Sequence, residues 1–411
     1  MKRRVVITGI GVIAPNGIGK ENFWNALKEG KSGIKKITSF DPSELPVQIA
    51  GEVVDFRPEE YIEDKKRIRR MARFSQFGVA CAKMAVKDSG LNLKEINPEK
   101  LIVSLGVSTS AMDLIETQHK KFLNRGYKGI PPFSIFSATP NIVSQEILNE
   151  FDLEIPSLII ATNCSSGIDA VGYCFKEIQK GNFDLAISGG SDASITPLIM
   201  AGLCASNIMS KRNDFPEKAS RPFDKLRDGG VLSEGSGILI LEELNHALKR
   251  GAKIYGEIIG YGRWSEKEMT QPGVGFENAM KMCLKDAFLK PEMIDYISAH
   301  GPSDPFIDYY ETVGIKRVFG ENAYKIPISS IKSMIGNPFS SGGVMQIIGV
   351  LLSLTENIIP PTINYEYPDP DCNLDYTPNK YRILNVNYCL INSHGFGGSN
   401  SSLIIKKYED K

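Results

Sequence analysis

The stretch that decides the fold is residues 158–175, LIIATNCSSGIDAVGYCF. Its apolar, β-branched beginning predicts a buried strand, and the run after Thr-Asn-Cys-Ser-Ser-Gly predicts a helix, so Cys164 lies at a helix N-terminus. Free backbone N–H groups and the positive end of the helix dipole favour the ionised, nucleophilic form of such a thiol. The alternative, a buried structural cysteine, better suits Cys81, Cys174 and Cys283, which lie inside apolar helical patterns. Cys164 is therefore the first candidate for covalent chemistry.

The composition is that of a globular protein with no overall preference for a charged partner. Among 411 residues, 48 Lys and Arg balance 48 Asp and Glu, so net charge gives no argument for nucleic acid or an anionic membrane. The seven cysteines are scattered without a CxxC pair, which argues against a disulfide framework or a metal site and for a reducing compartment. We expect a cytoplasmic protein without a stretch apolar enough to span a bilayer.

Apolar strand-like runs alternate with amphipathic helical runs over most of the chain, as in RVVITG, LIVSLGV, DLAISGGSD and YCLINSHGFG. This alternation predicts an α/β fold in which helices cover sheets. Several runs end in polar or glycine-containing loops that carry Cys164, His300, Lys332 or His394, and we expect these ends to converge on one site. Histidines there would supply hydrogen bonds and proton transfer to an acyl group on sulfur, and the HGFGG glycines would allow backbone N–H groups to approach an oxyanion.

Two other motifs each allow two interpretations. Residues 9–14, GIGVIA, fit the dinucleotide fingerprint of a Rossmann oxidoreductase, but Pro15-Asn16-Gly17 interrupts the helix that would hold the pyrophosphate, which favours a structural turn. Residues 65–73, KKRIRRMAR, predict a basic helix that is either a solvated face or a dock for an acidic partner or phosphate. No aromatic residue interleaves with this run, so nucleic acid is disfavoured.

The chain resembles the elongating, type II β-ketoacyl-[acyl carrier protein] synthases over essentially its whole length. The segments that carry the resemblance occur in the family's order and include VVITGIGVIAPNG, ATNCSSG, RPFDKLRDGG, SAHGPSDP, PISSIKSMIGN and NSHGFGGSN. The resemblance implies a thiolase fold of two similar α/β halves, residues 1–250 and 251–411, in a five-layered αβαβα arrangement with the active site between them. Such enzymes are normally dimers, here a homodimer or a heterodimer with another ketosynthase.

The resemblance also implies roles for individual residues. Cys164 matches the acylated nucleophile, and His300 matches the histidine that stabilises the malonyl thioester enolate. Lys332 matches a lysine that supports the site electrostatically, and Phe396 matches a gating phenylalanine whose backbone N–H, with that of Cys164, forms an oxyanion hole. The implied partner is an acyl carrier protein, whose phosphopantetheine arm carries the substrates, and no cofactor of the enzyme's own is implied. The implied docking residues are Lys65, Lys66, Arg69, Arg70 and Arg73.

Three departures from the family pattern concern the catalytic centre. Asn337, in KSMIGN, replaces the second histidine and can donate a hydrogen bond but cannot exchange a proton near neutral pH. Related type III ketoacyl synthases and chalcone synthases use a Cys-His-Asn set, so condensation remains possible. His394 replaces a phenylalanine, and we hypothesise that it faces the site and takes over part of the missing histidine's role. Gln346 replaces a glutamate that the family commonly carries.

Further departures concern the acyl group and the phosphopantetheine arm. Residues 300–305, HGPSDP, replace the usual HGTSTP, so Ser303 and Asp304 would hold the arm differently from the family's threonines. In the loop of residues 106–112, Thr109 replaces a gatekeeping isoleucine. We expect Thr109 and Met112, with His394 and Gly395, to contact an unusual acyl substrate.

The sequence therefore predicts a decarboxylating condensing enzyme of fatty-acid or polyketide-like synthesis that uses Cys164, His300 and Asn337. One alternative is a homologue that transfers or hydrolyses acyl groups without elongating them. Another is a non-catalytic partner subunit of a ketosynthase heterodimer, although such partners usually lose the cysteine that this chain retains.

Overall fold

The computed structural model describes residues 2–267 and 271–409. Within them, the strands are β1 (Val5–Ala14), β2 (Gly17–Ile18), β3 (Lys35–Lys36), β4 (Ile49–Ala50), β5 (Leu101–Gly106), β6 (Ser157–Ile160), β7 (Leu185–Asp192), β8 (Gly235–Glu243), β9 (Gly256–Ser265), β10 (Tyr296–Ser298), β11 (Ile328–Ser329), β12 (Ile358–Ile359), β13 (Arg382–Ile383), β14 (Tyr388–Gly395) and β15 (Ser399–Lys406). The α-helices are α1 (Lys20–Glu29), α2 (Lys65–Ile68), α3 (Arg73–Ser89), α4 (Met112–Arg125), α5 (Ser134–Ala138), α6 (Ile142–Phe151), α7 (Ser166–Lys180), α8 (Pro197–Ala205), α9 (Leu244–Lys249), α10 (Val274–Ala287), α11 (Pro305–Phe319), α12 (Lys332–Ile335) and α13 (Ser340–Glu356). None of these helices is long and apolar enough to cross a membrane.

The main sheet contains two groups of strands with the same internal order. Its strands run β6-β5-β7-β8-β1 and continue as β9-β15-β14-β10-β11. Taken in chain order, both groups place their third, second, fourth, fifth and first strands side by side, with the two first strands in contact. There β1 and β9 pair antiparallel, with Val5 opposite Ile258.

Helices cover both groups of strands and also lie between them. Helix α3 packs on β1 and β8, whereas α10 packs on β9 and β15. Helices α7 and α13 contact each other, and each contacts strands of both groups. The layers therefore alternate helix, sheet, helix, sheet, helix, which confirms the five-layered α/β fold predicted from the sequence.

The glycines of the supposed dinucleotide fingerprint lie inside strand β1. A Cβ on Gly9 would stand 2.2 Å from the Ala85 carbonyl oxygen, and one on Gly11 would stand 2.0 Å from the Cys81 carbonyl oxygen. These glycines therefore let α3 approach the strand closely. The Rossmann interpretation is wrong for this stretch because the motif does not form a loop that leads into a helix N-terminus.

The basic run of residues 65–73 does not form one helix. Asp64 caps the short helix α2 by accepting hydrogen bonds from the backbone N–H groups of Lys66 and Arg67. Helix α2 ends at Ile68, and α3 begins only at Arg73. The predicted single basic helix is therefore a short capped turn of helix followed by a bend.

We expect Gly11→Ala to destabilise the fold strongly, because its Cβ would collide with the backbone of α3 rather than with a movable side chain. The loss in the free energy of unfolding should be about 3 kcal/mol or more, measured by urea denaturation. Gly202→Ala is the matched control: Gly202 lies in α8 with open space around it, so alanine should be neutral or stabilise by up to about 1 kcal/mol. Equal effects of the two substitutions would contradict this packing argument.

Candidate active site

Cys164 lies in the turn that joins β6 to α7, as the sequence predicts. A 3₁₀ turn covers Asn163–Ser165, and the helix begins at Ser166. Asn163 takes the left-handed conformation, with φ 58°, which suits asparagine better than most residues. The turn places the Cys164 side chain at the centre of the molecule, where the residue is 3% exposed.

The Cys164 thiol is protonated at neutral pH. Burial raises its pKa to about 12, against the opposing effects of the Asn337 amide, the Lys332 charge and the Phe396 backbone N–H. The thiol lies 3.2 Å from Asn163 Oδ1, to which it donates, and 3.7 Å from Asn337 Nδ2. Desolvation therefore opposes the ionisation that the helix N-terminus favours, and in this structure its effect on the pKa of the thiol is the larger one.

His300 follows β10 and is fixed through its backbone. Its N–H and that of Gly301 each donate to the Glu311 carboxylate at 2.9 Å. The His300 ring is buried, and within residues 2–267 and 271–409 its Nδ1 atom has no hydrogen-bond partner. Burial, with the nearby Lys332 and His394, lowers the pKa of His300 well below its ordinary value, so the ring is neutral at physiological pH.

Lys332 lies behind the reacting groups and has a neutral amide partner. Its Nζ donates to Gln346 Oε1 at 2.9 Å. The two N–H groups of the Gln346 amide are shared among three carbonyl oxygens, those of Ala299 at 2.8 Å, Ser298 at 3.1 Å and Asn392 at 3.2 Å. A glutamate could not donate to these three carbonyls, so glutamine is the residue that this arrangement requires. Burial lowers the pKa of Lys332 to about 8, opposed by Glu311.

Four of the five predicted catalytic residues border one narrow cavity of about 50 Å³, and the fifth, Lys332, does not line it. Cys164, His300, Asn337, His394 and Phe396 all line it, together with Asp304 and apolar side chains. Phe396 is 48% exposed and stands edge-on to Phe339, with ring centroids 6.2 Å apart. A half-exposed aromatic ring at the cavity is the arrangement that a gate requires.

His394 faces this cavity, as hypothesised from the sequence. It lies near the end of β14 and is 4% exposed, and its ring centroid lies 6.0 Å from that of His300. Its Nδ1 atom is 3.0 Å from Asn400 Oδ1. Burial lowers the pKa of His394, whereas the hydrogen bond with Asn400 and the charge of Asp304 raise it.

Four residues predicted to bind substrate do not line the cavity. Thr109 donates its N–H to Asp192 at 3.0 Å, and Met112 begins α4. The Ser303 hydroxyl accepts the Arg221 N–H at 2.9 Å, and Gly395 packs tightly, since a Cβ there would meet the Thr162 carbonyl oxygen at 2.4 Å. The contacts of Thr109, Ser303 and Gly395 thus hold the backbone and loops around the site. Asp304 does line the cavity, but its carboxylate also caps α11.

Sequence reasoning missed several buried polar residues that support the site. Asp192 accepts hydrogen bonds from the backbone N–H groups of Thr109 at 3.0 Å and Ser340 at 3.0 Å, which ties the loop after β5 to the start of α13. Glu311 holds His300, and Asn400 holds His394. An acidic residue at the end of an apolar strand, such as Asp192 after LAISGGS, was the available signal.

Most of the proposed docking residues lie on the surface. Lys65, Lys66, Arg69 and Arg70 are exposed. Arg73 differs, because its guanidinium forms two hydrogen bonds with Glu234, at 2.7 and 2.9 Å, and is only partly exposed. Its charge is therefore already paired within the chain.

The chain is similar over its whole length to proteins of one enzyme family. Residues 2–247 match the family model "Beta-ketoacyl synthase, N-terminal domain", and residues 255–366 match "Beta-ketoacyl synthase, C-terminal domain". The chain belongs to the β-ketoacyl synthase family. This synthase is 43% identical, over the full length of both chains, to 3-oxoacyl-[acyl-carrier-protein] synthase 2 of Coxiella burnetii. It is 38% identical to a putative polyketide beta-ketoacyl synthase 1 of Streptomyces cyaneus, with 98% of each chain covered.

Solved structures show the same fold. The synthase matches the ishigamide ketosynthase/chain length factor with a TM-score of 0.93 and 32% identity, and both chains are covered completely. It matches equally completely, with a TM-score of 0.89 and 32% identity, a ketosynthase in complex with its type II PKS acyl-carrier protein. The synthase is therefore an acyltransferase-type enzyme of thiolase fold that catalyses ketosynthase condensation in fatty-acid or polyketide synthesis.

We expect alkylation of Cys164 by iodoacetamide to accelerate about tenfold per pH unit between pH 7 and pH 9.5, because a pKa of about 12 leaves the ionised fraction still rising there. Mass spectrometry of the peptide that contains Cys164 gives the rate. A plateau below pH 9 would show that the thiol ionises far more readily than its burial indicates. Asn337→Ala should slow the reaction at every pH, because it removes a donor to the thiolate.

Proposed function

We propose that this synthase elongates an acyl group held on Cys164 by decarboxylative condensation with malonyl-[acyl carrier protein]. The observation that supports the proposal is the meeting of a buried thiol, a neutral histidine and an amide donor at one cavity, with Asn337 Nδ2 3.7 Å from Cys164 Sγ. The amide therefore stands in the position from which a hydrogen bond to a reacting oxygen beside the sulfur is possible.

In the first half-reaction, the Cys164 sulfur attacks the carbonyl carbon of the acyl-carrier thioester. The bond between that carbon and the carrier's sulfur breaks, and the proton of Cys164 ends on the departing carrier thiol. Because the resting thiol is protonated, the proton must leave as the new bond forms, and this requires an acceptor at the cavity. The backbone N–H groups of Cys164 and Phe396 would hold the oxyanion.

In the second half-reaction, the malonyl thioester loses carbon dioxide, and the bonding electrons form an enolate. His300 and the Asn337 amide would each donate a hydrogen bond to the enolate oxygen. Neither hydrogen bond requires its donor to give up the proton. The enolate carbon then attacks the acyl carbonyl carbon, the bond to Cys164 breaks, and the released thiolate takes up a proton from solvent, since the half-reaction consumes one proton. The positive charge of Lys332, behind His300, would support the developing negative charge.

The acyl substrate is proposed to be unusual for the family. The cavity beside Cys164 is narrow, and Thr109, in place of a gatekeeping isoleucine, is held by hydrogen bonds to Asp192 and to Ser194 Oγ at 2.5 Å. Because these hydrogen bonds hold the Thr109 side chain, it would change conformation less readily than an isoleucine at the same position when an acyl chain binds.

Two alternatives differ from this proposal in what they require of Cys164. A transacylase or thioesterase would acylate the cysteine but would not decarboxylate malonyl-carrier protein. A non-catalytic partner subunit would require no reactive thiol, and the position of Cys164 at the cavity disfavours this alternative.

We further propose a cytoplasmic homodimer that works with an acyl carrier protein docked on Lys65, Lys66, Arg69 and Arg70.

Intact mass spectrometry tests the condensation directly. We expect Cys164 to gain the acyl group from acyl-carrier protein, and β-ketoacyl-carrier protein to appear once malonyl-carrier protein is added. Cys164→Ala should do neither. Acylation without carbon dioxide release would support the transacylase alternative, and no acylation with any chain tested would support the partner-subunit alternative.

We expect Asn337→Asp to separate the two half-reactions. The side chains have the same shape, but an ionised carboxylate cannot donate a hydrogen bond to the enolate and repels its charge. Condensation should fall about 100-fold or more, whereas Cys164 should still gain an acyl group. If elongation by Asn337→Asp matched the unaltered enzyme, the amide would have no role in enolate stabilisation.

The docking proposal predicts a charge-dependent interaction with the carrier. We expect Lys66→Glu with Arg69→Glu to raise the KM for acyl-carrier protein roughly tenfold at low salt while kcat stays unchanged, because rim charges mainly affect association. The effect should diminish as salt is added. Lys94→Glu, an exposed residue outside the basic run, makes the same type of charge change and should leave the KM unaltered.

A further inference from the structure

The polar contacts of His394 continue away from the cavity through a buried asparagine. Asn400 is 0% exposed and lies opposite His394 where β14 pairs with β15. Its Oδ1 atom is 3.0 Å from His394 Nδ1, and its Nδ2 atom donates to Glu266 Oε1 at 3.0 Å and to the Gly398 carbonyl oxygen at 3.1 Å.

These contacts fix which ring nitrogen of His394 carries the proton. Both neighbours of Asn400 Nδ2 are acceptors, so the amide cannot be turned around, and its Oδ1 atom must face the histidine. An amide oxygen only accepts hydrogen bonds. His394 Nδ1 must therefore be the donor, and in the neutral ring Nε2 carries the lone pair.

The packing around this pair of residues favours the same arrangement. Gly275, in the first turn of α10, has no side chain, and a Cβ there would stand 1.9 Å from Glu266 Oε1 and 2.1 Å from Asn400 Nδ2. The Gly275 backbone N–H also hydrogen-bonds the Glu266 carboxylate. Glycine at this position thus makes room for the Glu266–Asn400 contact and helps to hold it.

His300 favours the opposite tautomer. Its Nδ1 atom is buried and has no hydrogen-bond partner in the described part of the chain, and the positive Lys332 lies near the ring. A buried N–H without an acceptor is rarer in proteins than a buried lone pair without a donor, and a nearby cation favours the lone pair. The proton of neutral His300 therefore belongs on Nε2.

We propose that Asn400, held by Glu266, is a positioning residue that fixes His394 as the Nδ1–H tautomer, so that His394 Nε2 accepts the Cys164 proton while His300 serves as a hydrogen-bond donor. This inference rests on the proposed function and assigns separate tasks to the two histidines. As the Cys164 sulfur bonds to the acyl carbon, its proton moves to His394 Nε2. The same proton then passes to the carrier thiolate when the carbon–sulfur bond of the substrate breaks.

The tautomers can be measured without any turnover. The chain has four histidines, so ¹⁵N-histidine labelling yields few signals, and His394→Phe assigns those of His394. We expect the ¹⁵N shifts to show a protonated Nδ1 for His394 and a protonated Nε2 for His300. Asn400→Leu should change the His394 pattern and leave that of His300 unaltered. A protonated Nε2 on His394 in the unaltered enzyme would overturn the proposal.

A double-mutant cycle on the acylation of Cys164 tests the function of this arrangement. We expect His394→Phe to slow acylation about 100-fold and Asn400→Leu at least about tenfold, whereas Asn400→Leu should add less than about twofold in the His394→Phe background. Independent effects that multiply would show that Asn400 does not act through His394 and would overturn the proposal, and thermal unfolding of each variant shows whether Asn400 affects folding instead. Unaltered acylation in His394→Phe would also overturn the proposal, although condensation through His300 and Asn337 would still stand.

A pair of substitutions distinguishes the loss of the hydrogen bond to His394 from a simple packing defect. Asn400→Asp alone should slow acylation, because two carboxylates then face each other. Glu266→Gln added to it supplies an amide donor, so the carboxylate introduced by Asn400→Asp can again accept from His394 Nδ1. We expect the double variant to recover most of the rate and to shift the pH profile of acylation upward, since a carboxylate beside Nδ1 raises the pKa of the histidine. No recovery and no shift would contradict the assigned contact.

Discussion

The close approach of two helix N-termini at the centre of the molecule is the constraint on which the site depends. A Cβ on Gly167, in the first turn of α7, would stand 2.2 Å from the Ser340 carbonyl oxygen, and one on Gly343 would stand 2.5 Å from Ile168 Cγ1. Without these glycines, α7 and α13 could not pack so closely. Because Cys164 precedes one helix and Asn337 precedes the other, this contact brings the thiol and the amide together.

The burial that this packing causes also determines the chemistry of the site. Desolvation raises the pKa of the Cys164 thiol and lowers the pKa values of His300 and Lys332. The thiol and His300 are therefore neutral before a substrate enters, whereas Lys332, with a pKa of about 8, stays mostly positive at neutral pH. A protonated thiol beside neutral histidines needs no counter-charge before the substrate binds. Its activation therefore depends more on the geometry of its hydrogen bonds than on a charged group beside it.

The sequence predicted the fold and the central residues because the relevant signals are local. A strand that ends in TNCSSG before a helix, and histidines in glycine-containing loops, both depend on residues adjacent in the chain. The effect of burial on the Cys164 thiol could not be predicted from the sequence, because the helix N-terminus is a local signal, whereas burial depends on α13 and β14, which are far away in sequence. The hydrogen bonds of Thr109 and Ser303 could not be predicted for a related reason, since their partners Asp192 and Arg221 lie more than 80 residues away.

Asn337, Gln346 and His394 are physically linked around the thiol and Lys332. Asn337 presents an amide to Cys164, and Gln346 gives Lys332 a neutral partner, so neither residue supplies a proton acceptor near neutral pH or a negative charge. Glu311 is the carboxylate that raises the pKa of Lys332 most, and its oxygens are already occupied by the N–H groups of His300, Gly301 and Asn392. A proton acceptor is still needed, because a buried thiol cannot attack a thioester and keep its proton. His394, which lines the same cavity and is held by Asn400, supplies a basic nitrogen without adding charge to the resting site. In the proposed mechanism these three residues therefore act together, because two neutral amides and one neutral histidine give the site hydrogen bonds and a proton acceptor without a resting charge.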